Sequence, residues 1–193
     1  MKKYLSFFSG ILIVYFGVAL TYKANIGVGP SDANMLSIAN IIDAKVGNVG
    51  IVINLIYFVL QIIILRRDFK VREFLQLVLV VASGLILTLF LYNVLKNFTV
   101  SNYGLRVLLY TVAVFVKTVG VLLIMNSSVC KTTLEGLADA VAFKLNKKMG
   151  FVRQIFDVFF VISVLLISFI FSQAITIGLG TVIDMVLFGP LLE

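Results

Sequence analysis

The chain has 193 residues, of which 61% are hydrophobic and 13% are charged, and its mean hydropathy is +1.13. An ordinary soluble domain carries about twice that share of charged residues, so the composition indicates an integral membrane protein whose main partner is the lipid bilayer. A net charge of +7 would suggest nucleic-acid binding in a soluble protein, but in a membrane protein it bears on orientation. We therefore predict no nucleic-acid partner.

The residues that are missing exclude several classes of chemistry. The sequence has no histidine and a single cysteine, Cys130. An internal disulfide, a Cys/His metal cluster and histidine-based acid/base catalysis are therefore excluded. We predict no catalytic residue, no metal site and no cofactor, and we expect that the protein is not an enzyme. A membrane enzyme is the least favoured alternative because pairs of a nucleophile and a base are missing, although the paired carboxylates keep it open.

Six apolar stretches approach the ~20 residues that a helix needs to cross a bilayer. They lie at about residues 5–22, 47–65, 74–95, 105–125, 151–172 and 175–192. The first also resembles a signal peptide, but its match to the second half of the chain favours a retained span. Two further segments, residues 31–44 and 133–146, are too short to cross and follow the first span of each half.

The two halves of the chain form a weak internal repeat, found by shifting the sequence against itself by 103 positions without a gap. The aligned pairs include Gly17 with Gly120, Gly47 with Gly150, Asp32 with Glu135 and Asn54 with Asp157. We predict one membrane domain over residues 1–193, with repeat one at about 1–98 and repeat two at about 99–193.

Each predicted repeat holds three spans. Because three is an odd number, the second repeat must enter the membrane in the opposite orientation to the first. Such inverted repeats with interrupted helices recur in secondary transporters, where the binding site lies near the bilayer midplane. The predicted fold is an all-α polytopic membrane protein with about six transmembrane helices in two inverted three-span repeats, each with a short broken or re-entrant helix. Alternatively the short segments are amphipathic surface helices, which suits residues 133–146 better than residues 31–44.

Lysine and arginine are distributed unevenly between the two sides of this predicted domain. With the N-terminus inside, the inner side holds Lys2, Lys3, Arg66, Arg67, Lys70, Arg72, Lys131, Lys144, Lys147, Lys148 and Arg153. The outer side holds Lys23, Lys45, Lys96 and Arg106. Since positive residues accumulate on the cytoplasmic side, we predict a multi-pass protein of the cell membrane with its N-terminus inside.

The short segments begin with residues that are typical of helix N-termini. Ser31 can cap the first segment, with Asp32 in its first turn. Thr132 and Glu135 have the spacing of a capping box. Because backbone N–H groups at such ends attract polar or anionic groups, we predict that a solute binds between the two starts, together with polar residues inside and at the ends of nearby spans. The candidates are Asn25, Ser31, Asp32, Asn54, Asn126, Ser127, Thr132, Thr133 and Glu135.

Three ionisable residues, Lys117, Asp157 and Asp184, lie inside predicted spans. Charge there is costly and by default points to function. Lys117 can neutralise either aspartate across the interior. A structural ion pair that only fixes helix packing and a carboxylate coupled to proton movement both explain the set, and our hypothesis assigns the three residues to coupling.

Two glycine-rich motifs carry a resemblance to a known family. The pattern G-x-A-x-x-x-x-A-x-x-G, followed by a proline and an acidic residue, is formed by Gly17, Ala19, Ala24, Gly27, Pro30 and Asp32. The closing stretch contains Gly178, Gly180, Thr181, Gly189 and Pro190. Over nearly its whole length the chain resembles the YczE/YyaS/YitT family of bacterial integral membrane proteins, although Ser31 stands where that family usually has an aromatic residue. The resemblance implies a bacterial cytoplasmic membrane protein and no specific activity.

Three functional hypotheses follow. The first is a small secondary transporter or permease for a small polar or anionic solute. The second is the substrate-binding membrane subunit of an energy-coupling-factor importer, which would co-purify with two ATPases and a coupling subunit. The third is a membrane scaffold or regulator of a cytosolic enzyme system, which would use the basic residues of the connection at 66–72. A small-molecule solute is the predicted partner, and self-association into a homo-oligomer is left open.

Overall fold

A computed structural model describes residues 2–127 and 129–191, and in this part of the chain all regular structure is helical. The α-helices are α1 (Lys2–Ala24), α2 (Pro30–Ile41), α3 (Val46–Leu65), α4 (Leu75–Leu89), α5 (Tyr103–Asn126), α6 (Thr133–Leu145), α7 (Met149–Phe171) and α8 (Leu179–Leu191). Two 3₁₀ turns, Arg66–Asp68 and Val71–Phe74, join α3 to α4, and a π-helical turn over Phe90–Val94 extends α4. The predicted all-α class is confirmed.

Five of the described helical stretches are long and apolar enough to cross a membrane. They are Lys3–Ala24, Val46–Asp68, Val71–Val94, Tyr103–Asn126 and Met149–Phe171. Large apolar side chains are exposed along their outer surface, and Phe169 of α7 is 86% exposed. Apolar side chains arranged in this way are suited to contact with lipid and would be a liability in water. The architecture is consistent with a helical membrane protein.

The sixth predicted span, residues 175–192, is shorter in the structure. There α8 begins only at Leu179 and has 13 residues, and Leu192 lies outside the described residues. Ser172 ends α7 in the left-handed conformation, with φ of 51°. The chain then runs beside the segment before α2, and the Gly180 N–H donates to the Ile26 carbonyl oxygen at 2.8 Å. This tertiary contact, rather than the apolar composition, determines where α8 starts.

Thr181 strengthens the link between α8 and the segment before α2. Its hydroxyl Oγ1 donates to the Val28 carbonyl oxygen at 2.7 Å and accepts from the Gly178 N–H at 3.1 Å. The side chain is 1% exposed, so both backbone groups depend on it for a partner. The Thr181 hydroxyl therefore connects the start of α8 to the segment before α2.

Replacing Thr181 by valine is expected to lower the free energy of unfolding by about 1–3 kcal/mol, because the shape is kept while a buried carbonyl oxygen and a partly buried N–H lose their partner. Thr181→Ser retains the hydroxyl and is the matched control, with a smaller expected loss. The measurement is the thermal unfolding midpoint of the purified protein in detergent. Equal midpoints for the two variants would contradict the role given to the hydroxyl.

The most extensive helix packing lies between α1 and α5, and glycine makes it possible. A methyl group added at Gly17 would lie 2.7 Å from the Lys117 backbone nitrogen. A methyl group added at Gly120 would lie 2.6 Å from the Val14 backbone nitrogen. Small residues allow such backbone approach between membrane helices. Glycines of both helices therefore lie in their shared contact.

The remaining helices pack around this central pair. The short helix α2 packs on α7, and the short helix α6 packs on α3. In addition α1 contacts α4, α5 contacts α8, α2 contacts α3 and α6 contacts α7. Both short helices are thus enclosed by long ones.

Burial along the short helices shows that neither lies on the surface of the bundle. In α2 the buried residues are Pro30, Ser31, Ala33, Asn34, Met35, Ser37 and Ala39. In α6 they are Thr133, Leu134, Glu135, Gly136, Leu137, Ala138, Ala140 and Ala142. An amphipathic surface helix would bury one face and expose the other. The surface alternative therefore does not describe either segment.

The cations predicted for the inner side and those predicted for the outer side contact different parts of the chain. Lys144, predicted inner, pairs with Asp68 at 2.8 Å. Among the predicted outer residues, the Lys23 ammonium donates to the Lys96 carbonyl oxygen at 3.3 Å. Arg153 differs from the prediction, because it is 4% exposed and lies inside the bundle rather than in the inner basic cluster.

Candidate functional site

A polar cavity of about 100 Å³ lies between the starts of α2 and α6. Every helix from α1 to α8 contributes to its wall. Its polar lining residues are Tyr15, Ser31, Asp32, Asn54, Ser83, Lys117, Thr132, Glu135, Arg153 and Asp184. A space of this size exceeds several-fold the roughly 10–15 Å³ that one water needs. The cavity is large and polar enough to hold several waters or a small solute.

The start of α2 brings Ser31 and Asp32 to the cavity. Gly29 is the N-cap residue and Pro30 occupies the first helical position, so the predicted cap by Ser31 is wrong. The first turn is closed by backbone, since the Ala33 N–H donates to the Gly29 carbonyl oxygen at 2.7 Å. Proline suits this position because it fixes φ and has no N–H to satisfy. The Ser31 hydroxyl is not used as a cap.

Thr132 and Glu135 reach the cavity from the start of α6. Thr132 is the N-cap residue, as the sequence predicted, but its side chain makes no capping hydrogen bond. The hydroxyl Oγ1 is buried and has no hydrogen-bond partner among the described residues. Glu135 also does not close the predicted capping box, because its carboxylate lies near Arg153 Nε, at 3.9 Å. Neither side chain caps α6: Thr132 lines the cavity, and the Glu135 carboxylate faces Arg153.

Lys117 and Asp184 form an ion pair across the cavity, joining α5 to α8. Both are buried, at 5% and 3% exposed. The ring of Phe188 lies one turn beyond Asp184, and its centroid is 4.5 Å from the Lys117 ammonium. A cation over an aromatic face gains electrostatic attraction in addition to the ion pair. The Lys117 charge is thus compensated on two sides.

Arg153 is the second cation of the site, and sequence reasoning missed it. Its guanidinium forms an ion pair with Asp157 one turn along α7 and lies 5.7 Å from the Phe188 ring centroid. Arg153 lies close in sequence to Lys147 and Lys148, which made it resemble a loop cation. The spacing of four residues to Asp157 was the available signal, since residues at i and i+4 share a helix face.

Among the described residues, Asp32 is the cavity carboxylate that forms no ion pair. The ion pairs of the described residues assign Lys117 to Asp184, and Arg153 to Asp157 and Glu135. Asp32 takes part in none of them. A methyl group built on Gly29 would lie 2.5 Å from Asp184 Oδ2 and 3.2 Å from Asp32 Oδ2, so the two carboxylates approach the same glycine.

The other predicted residues lie away from the cavity wall or behind it. Asn25 is exposed just after α1 with φ of 52°. Asn126 ends α5, and the Ser127 hydroxyl donates to the Ile124 carbonyl oxygen at 2.6 Å as part of the helix end. The Thr133 hydroxyl donates to Asn54 Oδ1 and orients that cavity residue. Asp157 stands behind Arg153. Solute contact by Asn25, Asn126 and Ser127 receives no support from this geometry.

A second group of buried polar residues lies beneath the cavity. Gly136 follows Glu135, and a methyl group built there would lie 2.8 Å from Gln61 Nε2 and 3.1 Å from Gln76 Nε2. Gln76 Nε2 donates to Glu73 Oε2 at 2.8 Å, while neither Gln61 Oε1 nor Gln76 Oε1 has a partner among the described residues. Gly136 also lines an open groove of about 770 Å³ beside the 66–73 connection. Polar groups thus continue from the cavity toward this groove.

Sequence comparisons relate the chain to proteins whose descriptions give no activity. Residues 1–193 match a family described as "Family of unknown function (DUF6198)". The chain is 23% identical over 191 residues to the uncharacterized protein YyaS of Bacillus subtilis (strain 168), which covers 99% of this chain and 90% of that protein. No solved structure matches the chain. The predicted relationship to YyaS-like proteins is confirmed, and the chain belongs to the DUF6198 family of unknown function.

Proposed function

We propose that this protein is a small secondary transporter or permease that carries a small polar solute across the cell membrane, with its N-terminus inside. The observation that carries the proposal is the polar cavity, because it lies among apolar helices and is lined from both halves of the chain. Ionisable groups in such a position are costly to maintain. A protein whose helices only needed to pack could fill the same space with apolar side chains at lower cost.

The proposal includes two inverted repeats, and backbone geometry supports this part. Three hydrogen bonds of the first half have a counterpart 103 residues later. The donor–acceptor pairs are Ala33–Gly29 and Gly136–Thr132, Ala44–Ala39 and Lys147–Ala142, and Val49–Lys45 and Val152–Lys148. Asp43 and Asn146, also 103 apart, both have positive φ, at 50° and 52°. Matching backbone detail is harder to reach by chance than matching apolar composition.

Helix packing supports the same symmetry. The counterparts are α1 and α5, α2 and α6, α3 and α7, and α4 and α8. When each helix is exchanged for its counterpart, the α2–α7 contact becomes the α6–α3 contact and the α1–α4 contact becomes the α5–α8 contact, and all four are present. The same exchange shifts each residue by 103 positions, so the contact of Gly17 with Lys117 becomes a contact of Gly120 with Val14. Both contacts are present between α1 and α5. A two-fold axis between α1 and α5 accounts for these exchanges. If the shorter α8 counts as the third span of the second half, each half has three spans and that axis lies in the membrane plane.

In this arrangement α2 and α6 are re-entrant half-helices, and α8 completes the second repeat as a shorter apolar helix. Their starts meet at the cavity, as in transporters whose discontinuous helices bind a solute near the midplane. The predicted residues Ser31, Asp32, Asn54, Thr132 and Glu135 form the binding site in this proposal. Lys117 and Asp184 provide the ion pair that responds to binding.

Cysteine labelling tests whether water reaches the cavity. In membrane vesicles, Ser31→Cys and Thr132→Cys are expected to react with a small charged methanethiosulfonate reagent, because both positions line the cavity. Val158→Cys, with a 49% exposed side chain on the apolar surface of α7, is the matched control and is expected to stay unreactive in lipid. Burial raises the pKa of the Cys130 thiol to about 12, so the native thiolate adds little background.

Uptake is then measured with proteoliposomes exposed to a mixture of polar metabolites, whose lumen is analysed by mass spectrometry. At least one compound is expected to enter only when the protein is present, and modification of Ser31→Cys is expected to block its entry. A lumen identical to that of empty liposomes would contradict transport. Absence of labelling at both cavity positions in folded protein would instead identify the cavity as dry packing.

A further inference from the structure

We infer that the solute recognised by the cavity is a small organic cation, an ammonium or guanidinium compound, and that Asp32 is its counter-ion. The inference rests on the proposed function and narrows it, since sequence reasoning admitted an anion. The starting observation is the balance of charge. Among the described residues, three carboxylates and two cations line the cavity, and a fourth carboxylate, Asp157, stands behind Arg153. Each of the two cations is already paired with a carboxylate of the protein.

In the described part of this site, each positive group already faces a carboxylate, so an anion would find no uncompensated cation. Arg153 Nε makes no hydrogen bond among these residues, but the Glu135 carboxylate lies 3.9 Å from it. Lys117 is paired with Asp184, and Arg153 is shared between Asp157 and Glu135. The ring of Phe188 lies against both cations, with its centroid 4.5 Å from the Lys117 ammonium and 5.7 Å from the Arg153 guanidinium carbon. Binding an anion would require breaking a buried ion pair and leaving a carboxylate unpaired.

The helix N-termini do not change this conclusion. Each short helix carries its own carboxylate in the first turn, Asp32 in α2 and Glu135 in α6. A carboxylate in that position already compensates the positive end of the helix dipole. The α2 N-terminus also has Asp184 beside Gly29. The partial positive charges that would attract an anion are therefore taken up by the protein itself.

A cation, in contrast, meets an unpaired carboxylate and further groups that suit it. Asp32 lines the cavity and has no ion-pair partner among the described residues. Thr132 also lines it, is 9% exposed, and has a hydroxyl oxygen without a partner in the described part of the chain. Tyr15 forms another part of the wall. A carboxylate, an unpaired hydroxyl and an aromatic residue are groups that recognise organic cations.

The test measures binding to the purified protein in detergent by thermal unfolding. The probes are the chloride salts of methylammonium, tetramethylammonium and guanidinium, with sodium acetate and urea as the anionic and neutral comparisons. A ligand that binds the folded state raises the midpoint in a saturable way. We expect at least one of the three cations to do so, while acetate and urea do not.

The variants make the assignment specific. Asp32→Asn is expected to weaken the cation response at least about 30-fold in apparent affinity, because the buried countercharge is lost. Without cation this variant should differ little in stability from the wild type, since the lost interaction with the helix dipole is offset by removal of a carboxylate that has no ion-pair partner among the described residues. Asp32→Glu keeps the charge and is expected to retain the response. Asp139→Asn is the matched control, because Asp139 is half-exposed, pairs with Lys131 and lies outside the cavity.

Several outcomes would overturn the inference. These are a saturable response to acetate or urea alone, no saturable response to any of the three cations, a response lost equally in Asp32→Asn and Asp32→Glu, and an unchanged response in Asp32→Asn. The last outcome would mean that the cation binds elsewhere. If a cation binds through Asp32 but no compound is taken up, the transport proposal is wrong and this inference stands. If a neutral or anionic compound is taken up, the transport proposal stands and this inference is wrong.

Discussion

Replacing Lys117 by methionine is expected to lower the free energy of unfolding by about 3–5 kcal/mol, because removal of one partner leaves the other charge of a buried pair uncompensated. Lys117 pairs with Asp184, and both side chains are almost fully buried. Methionine retains most of the length of the lysine side chain but carries no charge. The Asp184 carboxylate, however, would then lie close to Asp32 with no cation of its own. The measurement is the unfolding midpoint in detergent.

The control is the double variant Lys117→Met with Asp184→Asn. Because both charges are removed together, most of the lost stability is expected to return, and the difference between single and double variants measures the interaction of the pair. A double variant as unstable as Lys117→Met would show that the loss arises from packing around residue 117. In that case the ion pair would not be its cause.

Alanine at Gly17 is expected to destabilise the protein by about 1–3 kcal/mol, the usual range for an overpacked core, with the upper end favoured because the obstacle is backbone. Its methyl group would lie 2.7 Å from the Lys117 nitrogen and 3.0 Å from the Ala113 carbonyl oxygen. Neither atom belongs to a flexible side chain, so α1 and α5 must move apart. Gly120→Ala is expected to behave alike, at 2.6 Å from the Val14 nitrogen.

Gly50→Ala is the matched control for both substitutions. Gly50 also lies within a long helix, but its nearest foreign atom is the Met35 sulfur at 3.6 Å, an ordinary contact distance. Alanine at this position should be neutral or stabilise the helix by up to about 1 kcal/mol, because alanine has the higher helix propensity. Folded yield and unfolding midpoint are compared by size-exclusion chromatography and thermal scans. Equal behaviour of all three variants would contradict close packing of α1 on α5.

Local sequence signals located the short helices well. The Gly/Pro break before Ser31 and the Thr-x-x-Glu pattern at Thr132 predicted segments at 31–44 and 133–146, and the structure has α2 at Pro30–Ile41 and α6 at Thr133–Leu145. Helix starts depend on proline, caps and polar residues within one turn, so such information is contained in a short window. The capping bonds themselves were not predictable, because at the cavity tertiary contacts override local preference.

The cavity was predicted through its charges rather than its shape. Asp32, Glu135, Lys117 and Asp184 were conspicuous because ionisable groups are rare in apolar spans, and the structure gathers them around one space. Arg153 was missed because its nearness to basic loop residues suggested a loop. Whether Arg153 is buried depends on how deeply α7 inserts beside α6. That depth cannot be predicted from the neighbouring residues in the sequence. The buried amides of Gln61 and Gln76 escaped notice because each interrupts an apolar run only once.

The late start of α8 illustrates a similar limit. An apolar window cannot distinguish a helix of 13 residues from a full span when extended residues of the same composition precede it. The determinants lie more than 150 positions away in sequence, in the carbonyl oxygens of Ile26 and Val28 that Gly180 and Thr181 bind. Only the folded chain brings these groups together.

That fastening has a mechanical consequence. Thr181 anchors α8 to the strand of chain that leads directly into α2, and Asp184 lies less than one turn farther along α8. If the α2 start swings away from the middle of the bundle, α8 is pulled along, and Asp184 leaves the ammonium of Lys117. Movement of the half-helix α2 and separation of Lys117 from Asp184 would then occur together, because the Thr181 hydroxyl links α8 to the segment before α2.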